Sequence, residues 1–292
     1  MRLLIASELI FLLMAVSSIA QQESTRTLRI YVVDVEGGNA ALFVSPSGES
    51  LVMDTGNVGG PQRDAGRIMA AIKDAGVQRI DHLITTHWHL DHFGGMAGLA
   101  NRIPIREFID HGANVRPNPE ADSFLSQTYP KLYSSAKHTV VNRGDTIPFD
   151  KIDVRVVASA GETIKSSLPG AGQVNPYCPS SNTESVDQTE NGQSIGIVVT
   201  YGNFRVLHLG DFSANKEFEL MCPINRIGTV DIFVVSHHGQ PNSKYPTLGT
   251  RDRIAGSDHE QWPAERRRTR SHEDHSLGSG PRRSLATTLL ST

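Results

Sequence analysis

The chain has 292 residues, with 28 lysines and arginines against 31 aspartates and glutamates, and a formal net charge of −3. That charge argues against a protein built mainly to coat nucleic acid, and the length allows one large domain or two small ones with a sizeable core. Two cysteines exclude a disulfide-scaffold mini-protein and a cysteine-only zinc ribbon.

The first twenty residues have the pattern of a secretory signal peptide. Arg2 precedes an apolar run over 3–16, and small residues follow up to Ala20, where the pattern predicts cleavage. The run is too short and too broken to span a membrane comfortably. We therefore expect a secreted or periplasmic protein with no stable membrane span. In an oxidising compartment Cys178 and Cys222 could pair, although the sequence cannot show that their sulfurs meet.

The next 215 or so residues carry alternating strand and helix patterns, which predict a layered α/β fold. Strands are predicted over 28–33, 41–44, 51–53, 80–86, 105–109, 139–141, 152–158, 195–201, 204–209 and 230–235, with 139–141 and 152–158 as a pair and 195–209 as a hairpin. Helices are predicted over 63–75, 92–100 and 214–221.

Two segments depart from this pattern. Residues 161–193 are rich in Ser, Pro, Gly and Asn, which indicates a long functional or disordered loop where substrate choice would reside. Residues 251–292 carry eight arginines, six acidic residues and no lysine, without strand or helix periodicity. We expect no regular structure there, and two interpretations stay open: a disordered basic end, or a non-native segment produced by a frameshift.

One short run carries most of the chemistry: His87-Trp88-His89-Leu90-Asp91-His92, between a predicted strand and a predicted helix. His87 and His89 are two residues apart, so an extended backbone places them on one side, where they can hold one zinc ion. Asp91 and His92 lie past the bend and can face a second metal ion.

This H-x-H-x-D-H motif resembles that of the metallo-β-lactamase-fold hydrolases, and within them the ComEC-like subgroup. The resemblance runs from about residue 27 to about residue 240. Four more stretches support it: 33–39, 52–56, 207–211 and 235–239. The first departs from the subgroup pattern at Glu36 and Asn39. The resemblance implies an α/β fold, a four-layer αββα sandwich, with the hydrolase domain over 27–250 and an incomplete C-terminal end.

The resemblance also implies a role for each matching residue. His87 and His89 would hold the first zinc ion, Asp91 and His92 the second, and Asp211 would bridge both. His237 would complete the second site, with His238 as the alternative ligand or as a partner that steers its neighbour. Asp54 would orient the histidine loop rather than touch metal.

One ligand of the first zinc ion is left unassigned by the motifs. His111 is one candidate, because it follows a predicted strand, and an ordinary loop histidine is the competing interpretation. Asn191 is another, but an amide is a poor zinc ligand, so water could fill the position.

The expected function is exported, zinc-dependent hydrolysis, in which two zinc ions share a bridging hydroxide and Asp91 orients it or carries its proton. The resemblance favours a phosphodiester in a small molecule or a polymer, although the charge does not indicate nucleic acid. A lactam, lactone or thioester hydrolase stays open, as does a catalytically inactive metal-binding or truncated protein.

Overall fold

The computed structural model describes residues 27–179 and 185–240, together with the backbone of residues 286–287. Fifteen strands lie in the described residues: β1 (Arg29–Val32), β2 (Ala41–Val44), β3 (Ser50–Met53), β4 (His82–Ile84), β5 (Glu107–Asp110), β6 (Lys137–Val140), β7 (Thr146–Ile147), β8 (Asp153–Ser159), β9 (Glu162–Thr163), β10 (Gln173–Val174), β11 (Gly196–Tyr201), β12 (Phe204–His208), β13 (Ile224–Asn225), β14 (Ile232–Val234) and β15 (Ala286–Thr287).

Two of the sheets formed by these strands make up the body of the fold. The first has the order β15-β1-β2-β3-β4-β5-β6, and the second has the order β14-β12-β11-β8-β7, with β9 paired to β8. Strands β3 to β6 run parallel to one another, as do β12 and β14. Parallel strands end at the same edge of a sheet, so the residues that follow them gather there.

The helices and short turns cover the outer faces or connect the strands. The helices are α1 (Pro61–Asp74), α2 (Leu90–Phe93), α3 (Met96–Ala100), α4 (Pro119–Ser123), α5 (Tyr129–Leu132) and α6 (Ala214–Met221). A five-residue π-helical turn (Phe124–Thr128) joins α4 to α5, and short 3-10 turns lie at Asn191–Gln193 and Ser236–Gly239. None of the helices in the described part of the chain has both the length and the apolar character needed to cross a membrane.

Three apolar layers hold the elements together, and strand β2 shows how. Its side chains point alternately to the two faces of the first sheet. Leu42 and Val44 pack with α1, and Phe43 packs between the two sheets against β8 and β11. On the far face of the second sheet, Val198 and Leu207 pack against α6. This is the expected four-layer αββα sandwich, and the fold prediction is confirmed.

Several local predictions differ from the structure. The predicted helix over 92–100 is two short helices, α2 and α3, separated at Gly94 and Gly95. Strands β6 and β8 are not a pair, because each lies in a different sheet. The segment 161–193 contains β9 and β10 in addition to loop.

Within 251–292, where we expected no regular structure, β15 pairs with β1. The pairing gives β1 a second neighbour besides β2. The predicted signal peptide and the rest of 251–292 lie outside the described residues, as does the end of the predicted 27–250 domain.

Candidate metal centre

The predicted ligands gather where strands of both sheets end. His87, His89, Asp91 and His92 follow β4, and Asp211 follows β12. His237 and His238 follow β14, which lies parallel to β12. The ends of β12 and β14 share an edge of the second sheet, and the end of β4 in the first sheet packs against it, so residues as far apart as His87 and His238 reach one place.

Close backbone contacts fix the histidine loop against the segment after β3. Thr55 N donates to His92 O at 2.7 Å, and Gly94 N donates to Gly56 O at 2.8 Å. A Cβ at Gly94 would collide with the backbone of Asn57, so only glycine allows this approach. The same approach explains the break between α2 and α3.

The first group of ligands consists of His87, His89 and Asp211, whose ligand atoms all lie within 4.8 Å of one another. His87 Nε2 lies 3.0 Å from His89 Nδ1 and 4.0 Å from Asp211 Oδ2. His87 Nδ1 lies 3.0 Å from the hydroxyl of Thr86, which leaves Nε2 to face the group. Thr86 lies two residues after the end of β4 and was not among the predicted site residues.

The second group consists of Asp91, His92, Asp211 and His238, with ligand atoms again within 4.8 Å of one another. His92 Nε2 and His238 Nε2 each lie 3.3 Å from Asp211 Oδ2. His238 Nε2 also lies 3.1 Å from Asp91 Oδ2. Asp211 is therefore the residue common to both groups.

The structure brings His238, and not His237, into the second group. Both residues have positive φ angles, 50° for His237 and 52° for His238, and this left-handed turn directs neighbouring side chains differently. His237 Nε2 lies 3.3 Å from Asn191 Nδ2 and 4.0 Å from Asp211 Oδ2. The local sequence does not indicate which of two adjacent histidines faces the ligands. The prediction of His237 over His238 therefore had no support in the residues around them.

Asp54 lies behind the ligands and makes hydrogen bonds. Its carboxylate accepts from Thr86 N at 2.7 Å and from Asn39 Nδ2 at 2.8 Å, and it lies 2.8 Å from His92 Nδ1. The ring of His92 is thereby oriented with Nε2 toward Asp211 and Asp91. This is the arrangement in which an outer carboxylate orients a metal-binding histidine.

The remaining predicted candidates lie outside both groups. His111 is buried and places Nε2 2.7 Å from Glu190 Oε1. The Glu190 carboxylate also accepts from Trp88 N at 3.0 Å and from Val115 N at 3.0 Å. His111 thus helps Glu190 tie the histidine loop to the segment after β5. Asn191 contacts His237 rather than a ligand group.

The side chains of the two ligand groups have strongly shifted pKa values. Burial would raise the pKa of Asp211, but the charge of His92 and a hydrogen bond from His238 hold that pKa far below its usual range. Hydrogen bonds to Asp211 and Asp91 raise the pKa of His238 to about 9. Burial lowers the pKa of His87 well below its usual range. The central carboxylate therefore stays ionised and can attract cations.

The donor set fits divalent metal ions. His92 Nε2 is buried and has no well-aligned hydrogen-bond partner, although two carboxylates lie within 3.7 Å. A buried polar atom without a hydrogen bond costs free energy unless another partner, such as a metal ion, satisfies it. Imidazole and carboxylate donors together are a set that zinc accepts well.

Comparison with known proteins agrees with this architecture. Residues 33–170, somewhat less than half of the chain, match the model of the metallo-beta-lactamase superfamily. That stretch contains β2 to β9 and the whole histidine loop. The chain has the metallo-β-lactamase fold.

Curated proteins similar to the chain include two named ribonuclease Z. One, from Bradyrhizobium diazoefficiens, is 34% identical over 79 residues, which are 27% of this chain and 24% of that protein. The other, from Archaeoglobus fulgidus, is 27% identical over 139 residues, which are 47% of this chain and 42% of that protein. The chain thus matches less than half of the length of either relative.

Solved structures similar to the chain include two metallo-beta-lactamases, each 16% identical to it with a TM-score of 0.41. One is a subclass B3 enzyme isolated from a soil metagenome library, for which the alignment covers 65% of this chain and 62% of that chain. The other is from Cronobacter sakazakii, and its alignment covers 70% of this chain and 73% of that chain.

Proposed function

We propose that this protein is an exported, zinc-dependent hydrolase of phosphodiesters that resembles the ComEC-like subgroup of the metallo-β-lactamase fold. The observation that carries the proposal is Asp211, which belongs to both ligand groups. One carboxylate shared by two such groups is what a pair of neighbouring metal ions requires. The phosphodiester is favoured by the two relatives named ribonuclease Z, a name that denotes cleavage of RNA.

Each ion would have its own ligands besides Asp211. His87 and His89 would hold one zinc ion, and Asp91, His92 and His238 would hold the other. When bound, such a pair supplies Lewis acidity and lowers the pKa of water to near neutrality.

Asp91 is the residue best placed to handle a proton. Its side chain is 27% exposed, against 5% for Asp211, so of the two carboxylates it is the one open to substrate and water. A hydrogen bond from His238 and the charge of His92 outweigh burial and lower the pKa of Asp91, so it is ionised at neutral pH. Its carboxylate can orient an attacking water and accept its proton.

Export is part of the proposal for two reasons. The N-terminal pattern is that of a secretory signal peptide. In addition, the sulfurs of Cys178 and Cys222 are bonded, at 2.06 Å, and disulfide bonds persist mainly in oxidising compartments. Mass spectrometry of the mature protein from the culture medium or periplasm would test the expected start at residue 21.

A hydrolysis panel on the metal-loaded protein tests the activity. The panel holds a phosphodiester, a β-lactam, a lactone and a thioester, and it compares the wild-type chain with Asp91→Asn and His89→Ala. We expect turnover of the phosphodiester, reduced in both variants by at least about a hundredfold. Metal binding without turnover of any substrate would instead identify a non-catalytic metal-binding protein.

A further inference from the structure

A cavity of about 480 Å³ is lined by His237, whose Nε2 lies 4.0 Å from Asp211 Oδ2. His237 and Asn191 form its wall on the side of the metal centre, and Asn215 and Arg116 are among its other lining residues. Polar side chains dominate the lining. A substrate whose reacting bond lies at Asp211 would extend its neighbouring group into this cavity.

Arg116 is the one lysine or arginine among the described residues that line this cavity. The structure shows no ion pair for its guanidinium within the described part of the chain. The backbone around it is anchored, because Val115 N donates to Glu190 Oε2 at 3.0 Å and Arg116 N donates to Asn114 Oδ1 at 2.9 Å. The backbone that carries Arg116 is therefore fixed, and its exposed side chain lies on the wall of the cavity.

Among the described residues, the carboxylate that lines the cavity and the carboxylate that anchors the Arg116 loop both accept other hydrogen bonds. Asp187, which also lines the cavity, accepts hydrogen bonds from Thr189 N, Thr189 Oγ1 and Ser213 Oγ. Glu190 accepts from Trp88 N and Val115 N and contacts His111. An arginine without a carboxylate partner suits a phosphate, which its planar group can bind through two hydrogen bonds.

We infer that Arg116 binds a second phosphate of the substrate, next to the diester that is cleaved. This inference rests on the proposed function and narrows it, from any phosphodiester to one that carries a neighbouring phosphate. The cavity and Arg116 would then determine specificity, while the reaction itself takes place at the two ligand groups.

Binding to the metal-depleted protein tests this without any turnover. The probes are thymidylyl-thymidine with and without a 5′-phosphate, titrated calorimetrically after treatment with a chelator. We expect the phosphorylated dinucleotide to bind about tenfold more tightly, since one charged hydrogen-bonded contact is of that order. Arg116→Gln should abolish this difference, and Arg116→Lys should restore part of it.

A matched control removes an arginine on the other side of β5, away from the Arg116 loop. Arg106 precedes β5, its side chain is 63% exposed, and it lies outside the cavity. Arg106→Gln should keep the full tenfold difference. The corresponding abasic dinucleotides should show the same difference. If only the base-containing pair shows it, or if Arg116→Gln preserves it, the inference is wrong.

Turnover by the metal-loaded protein then separates the inference from the proposed function. If the Arg116-dependent binding difference is present and neither dinucleotide is cleaved, Arg116 is a phosphate-binding residue and the proposed activity is wrong. If both are cleaved and Arg116→Gln leaves their relative KM values unchanged, the activity stands and the inference about Arg116 fails.

Discussion

Asp54 Oδ2 lies 2.8 Å from His92 Nδ1, and both side chains are fully buried. In a neutral imidazole, a proton on Nδ1 that is donated to Asp54 leaves a lone pair on Nε2. That nitrogen faces Asp211 at 3.3 Å and Asp91 at 3.7 Å. Asp54 thus sets both the orientation and the tautomer that His92 needs as a ligand.

Asp54→Asn should weaken metal binding by about 10–100-fold while the protein still folds, because it removes the charge that orients His92 but no ligand. Titration of metal against a competing chelator measures the change. Asp153→Asn, a loss of one exposed carboxylate on β8, is the control and should bind metal like the wild-type protein. Unchanged affinity in Asp54→Asn would show that His92 does not depend on this contact.

His238→Ala and His237→Ala should differ, although the two residues are neighbours. His238 is in the second ligand group, so its loss should reduce the bound metal from two equivalents toward one. His237 lies 4.0 Å from Asp211 and contacts Asn191, so His237→Ala should retain both equivalents. Elemental analysis after gel filtration measures each. The reverse result would restore His237 as the ligand.

Asp81 should contribute to stability in a pH-dependent way. Burial would raise its pKa, but hydrogen bonds from Arg79 and Ser50 outweigh burial and hold the pKa below its usual value. A lowered pKa in the folded state stabilises the protein above the unfolded pKa of about 3.9, and this contribution is lost as the pH falls through the folded value.

Asp81→Asn should therefore destabilise the protein by about 1–3 kcal/mol at pH 7, since a charged hydrogen-bond acceptor is lost. The difference from the wild-type protein should shrink as the pH falls from about 4, where the unfolded carboxylate becomes neutral, through the lower pKa of the folded protein. Urea unfolding across pH 3–7 measures this. A difference that stays constant across the whole range would contradict the assignment.

The disulfide bond between Cys178 and Cys222 should stabilise the folded protein. It closes a chain separation of 44 residues, for which the loss of loop entropy in the unfolded chain corresponds to about 4 kcal/mol. The double variant Cys178→Ser/Cys222→Ser should unfold at a lower denaturant concentration, and its free energy of unfolding should be lower by about 4 kcal/mol. The wild-type protein under reducing conditions should match it, and equal stability in all three would show that the bond contributes nothing.

The sequence predicted the part of the site that is local. His87 to His92 are close in sequence, and a strand, a bend and a helix suffice to place them around one point. Asp211 was assigned through the resemblance of 207–211 to a family motif. The hairpin before it was predicted from the sequence, and its strands β11 and β12 lie within the predicted segments. The layered α/β class could be predicted from the order of strand and helix patterns, whereas the four-layer αββα sandwich was implied by the family resemblance.

The remainder depends on contacts between distant segments. Glu190 reaches Trp88 and His111 across 102 and 79 residues, and no spacing in the sequence indicates this. Thr86 has no distinctive pattern, yet its hydroxyl joins Asp54 to His87. The choice between His237 and His238 depends on two positive φ angles in non-glycine residues, which sequence propensity disfavours.

The metal content of Asp211→Ala, compared with that of the wild-type protein, tests the shared carboxylate most directly. We expect two zinc equivalents per wild-type chain and a loss of both in Asp211→Ala, because one side chain serves both ligand groups. His238→Ala is the comparison. It removes a ligand of a single ion and should therefore lose only one equivalent of bound zinc. Retention of either ion at wild-type affinity in Asp211→Ala would contradict the shared site.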